Sequence, residues 1–273
     1  MSAEERDAAM ERLSFTTDVN DLKDCDLIIE AIGGGEDGAI ENKPLKLQVW
    51  KEMDQVVKPE AVFASNTSMF TIADLAEVTT RKDRFIGMHL FSPANIMKLV
   101  EVTHTEDTSE EVTNLIVELS KSMGKVPIIL KDVPGDTGFV GNRILFARQK
   151  QALSMVYDGL MPWDIDKAIN EFGFKMGPFQ MSDLAGLDIG WKKGEKTTNP
   201  IRDALCELDR RGQKTNAGYY DYDENRVPRI SKLTEELIKN ITGKEKEENM
   251  NSAEIIEHCI CLLYTSPSPR DRG

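Results

Sequence analysis

Short apolar runs separated by polar segments dominate the first half of the chain. Each run is four to seven residues long and nearly continuous, which is typical of strands buried on both faces of a sheet. Four runs have this character: 26–32, 61–65, 84–89 and 126–130. Helical patterns lie between them, with a short helix near 71–78. This alternation predicts a parallel sheet with helical crossovers.

Two longer helices are predicted in this half. The apolar residues of the first recur at a spacing of four: Leu45, Val49, Met53 and Val57. The second is predicted to begin at Thr108, because Thr108 and Glu111 have the T-x-x-E spacing of a capping box. Its predicted buried stripe is Val112, Leu115, Ile116, Leu119 and Met123. Gly124 is placed to end this helix in the left-handed conformation.

The pattern changes to helical spacing after residue 138, and strand signals nearly vanish. Helices are predicted over 138–158 and 164–171, so a helical second domain is expected. Residues 239–251 have the composition of a linker, and Ile255, Ile256 and Ile260 suggest the start of a further helix. The tail 265–273 is rich in Ser, Pro and Arg and is predicted to be disordered.

These patterns predict three segments. Residues 1–133 are expected to form a Rossmann-like domain, in which helices flank a doubly wound parallel sheet. Residues 134–240 are expected to form an all-α C-terminal domain, with a boundary at Pro134–Gly135. Residues 241–273 are expected to contain a linker, the start of a further helix and the tail.

Composition and charge exclude several classes of partner. The net charge is −13, which disfavours nucleic acid and anionic membranes as partners. No apolar run approaches the roughly 20 residues of a membrane span, and no targeting signal is visible. The four cysteines lack the paired spacing of a metal site, and a reduced compartment is the simpler interpretation. We therefore expect no metal.

Polar residues follow or interrupt three of the apolar runs. Ser65–Ser68 (SNTS) follows one strand, His89 ends the next, and Glu101 lies among β-branched residues. Ligands bind outside the carboxyl ends of strands in open α/β sheets. A histidine oriented by a carboxylate is a suitable general base near neutral pH. The alternative is a hydrogen-bonded histidine at a strand end and a solvated glutamate.

Several ordered motifs resemble one family. The N-terminal half contains SNTS (65–68), GMHLFSPA (87–94), MKLVEV (97–102) and GFVGNRI (138–144). These resemble the 3-hydroxyacyl-CoA dehydrogenases of fatty-acid β-oxidation. The later segments EFGFKMGPFQMSDLAGLDIGW (171–191) and LCELDRRGQKTNAGYYDYD (205–223) are similar to the multifunctional subgroup, which is fused to an enoyl-CoA hydratase. The resemblance implies NAD-dependent oxidation of (S)-3-hydroxyacyl-CoA to 3-oxoacyl-CoA.

The resemblance also implies roles for residues on the substrate side. It makes His89 the catalytic base and Glu101 its orienting partner. Ser68 would bond the substrate oxygen, although on spacing alone it could be the N-cap of the helix near 71–78. Asn142 would orient the substrate, although a capping or turn residue is the alternative. Ser92 stands where many monofunctional relatives carry Asn, and the multifunctional subgroup shares this departure.

On the cofactor side, the resemblance assigns Glu41, Lys46, Asn66 and Ser68 to NAD. A solvated helix lysine is the alternative for Lys46. The glycine-rich G-x-G-x-x-G loop expected for a dinucleotide is missing before Leu27. Gly33–Gly38 (GGGEDG) has the wrong spacing and is interpreted as a surface insert or sequence error rather than a phosphate loop. The resemblance therefore makes residues 1–133 a truncated NAD-binding domain and residues 241–273 the start of a truncated second helical unit. We expect a fragment that binds NAD poorly.

Three functions remain open on the sequence. The first is the oxidoreductase, which takes an acyl-CoA substrate. The second is a non-catalytic assembly domain, suggested by the missing glycine loop, and the third is a dehydrogenase of 3-hydroxy acids without CoA. The resemblance also implies a possible homodimer through the helical domain and a possible upstream hydratase domain. It places the protein in the bacterial cytoplasm or, for a eukaryote, in the peroxisome.

Overall fold

The computed structural model describes residues 2–34, 41–133, 135, 139–194, 196–244 and 250–265. The chain divides into two compact units: Phe139 is the last residue of the first, and Val140 opens the main part of the second. Of the glycine-rich segment, only Gly33 and Gly34 lie within the described residues. The tail beyond residue 265 also lies outside them.

The first unit alternates strands and helices, as the apolar runs predict. Its elements in chain order are α1 (Ala3–Met10), β1 (Leu27–Glu30), α2 (Lys43–Val56), β2 (Val62–Ser65), α3 (Ile72–Ala76), β3 (Phe85–Leu90), β4 (Leu99–His104), α4 (Glu110–Ser122) and β5 (Val126–Lys131). The five strands form one sheet in the order β1-β2-β3-β4-β5. This parallel-dominated sheet with flanking helices confirms the Rossmann-like fold class.

One strand pair departs from the predicted parallel arrangement. β3 and β4 are antiparallel, whereas β1–β2, β2–β3 and β4–β5 are parallel. The connection between β3 and β4 spans only residues 91–98, which is too short for a helical crossover, so the chain reverses direction. This reversal puts His89 directly opposite Glu101 in the strand register.

The sheet is packed by an apolar cluster on each face. Trp50, Phe63 and Phe85 form the centre of one cluster, with the Trp50 ring 4.9 Å from Phe63 and 4.8 Å from Phe85. Alternate strand residues such as Val62 and Ile86 belong to the other cluster, together with residues of α4. Successive strand side chains therefore enter opposite cores, as expected for a strand covered on both sides.

The predicted buried face of α2 is partly wrong. Its fully buried residues are Lys46, Trp50 and Met53, whereas Leu45 is 36% exposed. A strict spacing of four residues advances 400° and drifts around a helix of 3.6 residues per turn. The true stripe follows the helical period, and it places a lysine on the apolar face.

Helix α4 and strand β5 also differ in detail from the predictions. The N-cap of α4 is Ser109, which accepts a hydrogen bond from Val112 N; Thr108 instead donates to the carbonyl of Phe85. Two predicted stripe residues are exposed, Leu115 (52%) and Met123 (46%). β5 is an edge strand with exposed apolar side chains rather than a buried strand. Gly124 is left-handed, as predicted, with φ +71°.

The second unit is mainly helical, which confirms the predicted all-α character. Its elements are α5 (Phe139–Tyr157), α6 (Pro162–Phe172), α7 (Pro178–Ala185), α8 (Pro200–Glu207), β6 (Asp221–Tyr222), β7 (Pro228–Arg229), α9 (Lys232–Thr242) and α10 (Ser252–Thr265). Helix α9 continues to Thr242, so its last turn occupies the first part of the predicted linker. Helix α10 buries Ile255, Cys259 and Ile260 in the core of this unit.

Two buried aspartates tie the helices of the second unit to the β6–β7 region. Asp166 accepts hydrogen bonds from Phe179 N (3.0 Å), Gln180 N (2.8 Å) and the Tyr220 hydroxyl (2.8 Å). Asp183 accepts them from Tyr219 N (2.9 Å), Tyr220 N (3.0 Å) and the Tyr222 hydroxyl (2.9 Å). We call Asp166, Asp183, Tyr220 and Tyr222 the aspartate cluster. Burial raises the pKa of both carboxyls to about 6, against the hydrogen bonds that lower it.

Candidate active site

A histidine and a glutamate form a buried pair in the first unit. His89 and Glu101 face each other across β3 and β4, and His89 Nδ1 lies 2.7 Å from Glu101 Oε2. Glu101 is fully buried and His89 is 6% exposed. A carboxylate against Nδ1 favours the tautomer with a proton on Nδ1, which leaves Nε2 as the nitrogen that accepts a proton. The structure thus brings together the pair that the sequence predicts.

Two aromatic rings lie beside the imidazole, and an amide bonds the backbone of the next residue. The Phe91 and Phe139 rings lie 4.6 Å and 5.8 Å from the His89 ring, centroid to centroid. Asn66 Oδ1 accepts a hydrogen bond of 2.8 Å from Leu90 N, the residue that follows the histidine. Asn66 therefore fixes the backbone at the end of β3, in addition to any contact with a cofactor.

Ser68 is bonded to a carboxylate rather than to a helix end. Its backbone N and its Oγ each donate to Glu41 Oε1 at 2.7 Å. The N-cap of α3 is Thr71, so the capping alternative for Ser68 is wrong. A hydroxyl has one hydrogen to donate. With that hydrogen directed at Glu41, the Ser68 oxygen is oriented to accept hydrogen bonds.

Lys46 is buried between two carboxylates, so the solvated-lysine alternative is wrong. Its side chain is 2% exposed, and Nζ lies 2.6 Å from Glu30 Oε1 and 3.2 Å from Glu41 Oε2. Glu30 also accepts from the Ser65 hydroxyl at 2.7 Å. We call Glu30, Lys46, Glu41 and Ser68 the lysine cluster. Two carboxylates and one ammonium give this cluster a formal charge of −1.

The lysine cluster keeps an acceptor oxygen without a hydrogen bond. Burial alone would raise the pKa of Glu41, but the nearby Thr67 hydroxyl, the hydrogen bonds from Ser68 and the charge of Lys46 together hold that pKa below its ordinary value. Glu41 Oε2 has an ion pair with Lys46 but no hydrogen-bond partner among the described residues. A buried, anionic acceptor of this kind fits a donor such as a ribose hydroxyl or a carboxamide of a nicotinamide dinucleotide.

The structure brings some of the predicted residues together and places others separately. His89 and Glu101 form one group, and Glu41, Lys46 and Ser68 form a second; Asn66 joins the ends of β2 and β3. Asn142 lies in α5 and is half-buried. The sequence prediction missed Glu30 and Ser65. A single carboxylate inside the apolar run DLIIEAI was the available signal for Glu30.

Two family models match the chain. Residues 1–133 match the NAD-binding domain of 3-hydroxyacyl-CoA dehydrogenase, and residues 138–222 match its C-terminal domain. Among curated relatives, the peroxisomal bifunctional enzymes of Cavia porcellus and Homo sapiens are each 38% identical over 91% of this chain. In both cases the chain spans 36% of the relative's length.

Solved structures have the same fold. (S)-3-Hydroxybutyryl-CoA dehydrogenase from Ralstonia eutropha is 32% identical with a TM-score of 0.70, over 82% of this chain and 80% of that one. The dehydrogenase part of multifunctional enzyme 1 from C. elegans is 27% identical with a TM-score of 0.68, over 99% of this chain and 64% of that one. With the matching domains in the same order, the chain belongs to the 3-hydroxyacyl-CoA dehydrogenase family.

Proposed function

We propose that the protein oxidises (S)-3-hydroxyacyl-CoA to 3-oxoacyl-CoA with NAD as the hydride acceptor, in fatty-acid β-oxidation. The observation that carries this proposal is the buried His89–Glu101 pair, 2.7 Å between Nδ1 and Oε2. Oxidation of a secondary alcohol requires a base for the hydroxyl proton, and a histidine oriented by a carboxylate supplies one. The family membership and the acceptor at Glu41 support the same reaction.

In this proposal His89 Nε2 takes the hydroxyl proton of the substrate. The imidazole becomes cationic, and the Glu101 carboxylate stabilises that cation through Nδ1–H while it holds the ring in place. The nearby Phe91 and Phe139 rings limit water around the imidazole. Low water content strengthens the interaction between the carboxylate and the imidazolium.

Bound NAD supplies the acceptor for the hydride that leaves the alcohol carbon. Glu41 and Lys46 are the residues proposed to face it, since Glu41 Oε2 is a buried acceptor and the lysine cluster carries a formal charge of −1. Asn66 is proposed to contribute its amide nitrogen, because its Oδ1 is already bonded to Leu90 N. Negative charge on this side favours the cationic, oxidised nicotinamide.

Ser68 and Asn142 are proposed to orient the substrate. Ser68 Oγ donates to Glu41, so in this arrangement it accepts a hydrogen bond; donation to a substrate oxygen requires rotation away from Glu41. Asn142, with both a donor and an acceptor in its amide, suits a polar group of the acyl-CoA.

The decisive test is His89→Gln in the full-length protein. We expect NADH production from 3-hydroxybutyryl-CoA to fall by on the order of 10³-fold, because general-base catalysis contributes about 10²–10⁴-fold. His104→Gln is the matched control, since His104 bonds only the carbonyl of Thr105 among the described contacts of its ring. Unchanged NADH production in His89→Gln would contradict the proposed function.

The names of the relatives and the resemblance of the sequence motifs bear on assembly and location. We propose an acyl-CoA as substrate, an enoyl-CoA hydratase domain in the same polypeptide, and a homodimer formed through the helical unit. The relatives are named peroxisomal, which supports the peroxisome as the compartment. Within the part of the chain that the structure describes, no helix is long and apolar enough to cross a membrane.

A further inference from the structure

Glu30 accepts three hydrogen bonds among the described residues, and neither the motifs nor the family match give it a role. It is the last residue of β1, and its side chain is 1% exposed. Oε1 accepts from Ile32 N and from Lys46 Nζ, both at 2.6 Å, and Oε2 accepts from Ser65 Oγ at 2.7 Å. Backbone and strand neighbours thus hold this carboxylate in one orientation.

A purely structural role explains this arrangement poorly. Removing charges from water is costly, and well-packed apolar residues often replace a buried ion pair without loss of stability. Lys46 occupies the same face of α2 as Trp50 and Met53, where an apolar side chain would pack. The lysine cluster also buries one more negative than positive charge. Such a site is a candidate for function rather than stability.

The geometry of Lys46 shows how the two carboxylates share it. Its ammonium lies 2.6 Å from Glu30 and 3.2 Å from Glu41, so Glu30 is the closer partner. Glu41 Oε1 accepts both hydrogens of Ser68, while Oε2 has no hydrogen bond among the described residues. Without Glu30, Lys46 has Glu41 as its remaining anionic partner, and the ammonium would donate to Oε2.

We propose that Glu30 is a positioning residue: it retains Lys46 and so keeps Glu41 Oε2 available to the cofactor and Glu41 Oε1 bonded to Ser68. This inference rests on the proposed function for the identity of the cofactor. It makes Glu30 act through Lys46, and it requires no contact between Glu30 and either substrate.

The first test is Glu30→Gln in the full-length protein, with NAD binding measured by calorimetry. We expect the Kd for NAD to rise about tenfold, the equivalent of one lost hydrogen bond to a charged group. The KM for 3-hydroxybutyryl-CoA is expected to change less than about twofold, because the substrate side is untouched. Glu77→Gln, which removes an exposed carboxylate paired with Lys82, is the matched control.

A second readout needs no cofactor. Lys46 is buried and bonded, so an amine-acylating reagent is expected to modify it slowly in the native protein. In Glu30→Gln the Lys46 peptide is expected to label at least about fivefold faster, measured by mass spectrometry, with the melting temperature close to the native value. This labelling tests whether Glu30 holds Lys46 in place, and it does so independently of NAD.

A double variant separates positioning from general damage to the fold. If Glu30 acts through Lys46, Lys46→Met and Glu30→Gln/Lys46→Met have the same Kd for NAD within about twofold. The double variant removes both charges, so it stays informative if Glu30→Gln alone fails to fold. Additive losses in the double variant, or native labelling and native Kd in Glu30→Gln, would overturn the proposal. Absence of NAD binding by the native protein would instead overturn the proposed function.

Discussion

The two units each bury a pair of carboxylates, but they satisfy them differently. In the aspartate cluster, four of the six hydrogen bonds come from backbone N–H groups and the other two from tyrosine hydroxyls. In the lysine cluster the partners are mainly side chains, and one oxygen of Glu41 has no hydrogen bond among the described residues. Backbone donors cannot move without unfolding the loop that carries them, whereas side chains can exchange partners.

This difference supports a structural role for the aspartate cluster and the proposed cofactor role for the lysine cluster. A carboxylate whose oxygens all accept from fixed donors has no capacity left for a ligand and serves to join segments. A carboxylate oxygen that has no hydrogen bond among the described residues can accept a new donor. Burial and perturbed pKa values alone would have ranked the aspartate cluster first as a candidate site.

The largest effect is expected from Gly218→Ala, which disrupts the aspartate cluster. An added Cβ would lie 2.0 Å from Asp183 Oδ1, and three hydrogen bonds prevent that carboxylate from moving. We expect a loss of about 4 kcal/mol or more in the free energy of unfolding of the second unit. The measurement is urea unfolding followed by Trp163 and Trp191 fluorescence in a Trp50→Phe background.

Gly243→Ala is the control for this substitution. Gly243 is left-handed with φ +68°, but nothing lies within 4 Å of the added Cβ. Only backbone strain of about 1 kcal/mol is expected there. Equal losses in the two variants would show that the contact with Asp183 does not matter.

The next largest effect is expected from Glu101→Gln, which changes the buried His89–Glu101 pair. The neutral amide cannot stabilise an imidazolium, so kcat is expected to fall by on the order of 10³-fold, or about 4 kcal/mol. Glu106→Gln, an exposed carboxylate beside Lys131, is the control. A kcat within threefold of native would mean that Glu101 only packs against His89.

The third prediction concerns pH and the aspartate cluster. The pKa values of Asp166 and Asp183 are raised from 3.8 to about 6, so the folded unit retains protons that the unfolded chain releases between pH 4 and 6. Stability therefore falls as pH rises through this window, by roughly 3 kcal/mol per carboxyl, and is level above it. Urea midpoints of the second unit between pH 4 and 8 measure the effect.

Asp183→Asn tests the assignment of this slope. The amide does not titrate, so about half of the pH dependence of stability is expected to disappear. Stability is expected to be lower at every pH, because the amide nitrogen is itself a donor and cannot accept the hydrogen bonds that the carboxylate accepted. A native slope in this variant would assign the pH dependence to other groups.

The smallest effect is expected from Ser65→Ala. Its hydroxyl is one of three donors to Glu30, so its loss is expected to cost about 1 kcal/mol and raise the Kd for NAD about threefold. Ser120→Ala is the matched control, because Ser120 is equally buried but its hydroxyl donates to the carbonyl of Ile116 in its own helix. If Ser65→Ala and Ser120→Ala changed the Kd for NAD equally, Ser65 would have no specific role in cofactor binding.

Much of the fold was predictable because it depends on local pattern. Continuous apolar runs predicted the strands, and the change to helical spacing predicted the second unit. The spacing between His89 and Glu101 allowed their pairing across a short loop. Errors arose where tertiary contacts override the pattern: Thr108 bonds the carbonyl of Phe85 instead of capping α4, and β5 forms an exposed edge.

The sequence alone determined most strands and helices of the first unit and the helical character of the second, because side-chain periodicity reports which faces avoid water. It also identified the histidine, the glutamate and the family, because ordered motifs retain their residue types. Only the tertiary structure decided that Lys46 is buried, that it bonds Glu30 and that backbone N–H groups donate to both oxygens of Asp183. Those facts depend on which residues, distant in the sequence, come into contact in the folded core, and a local sequence pattern does not contain that information.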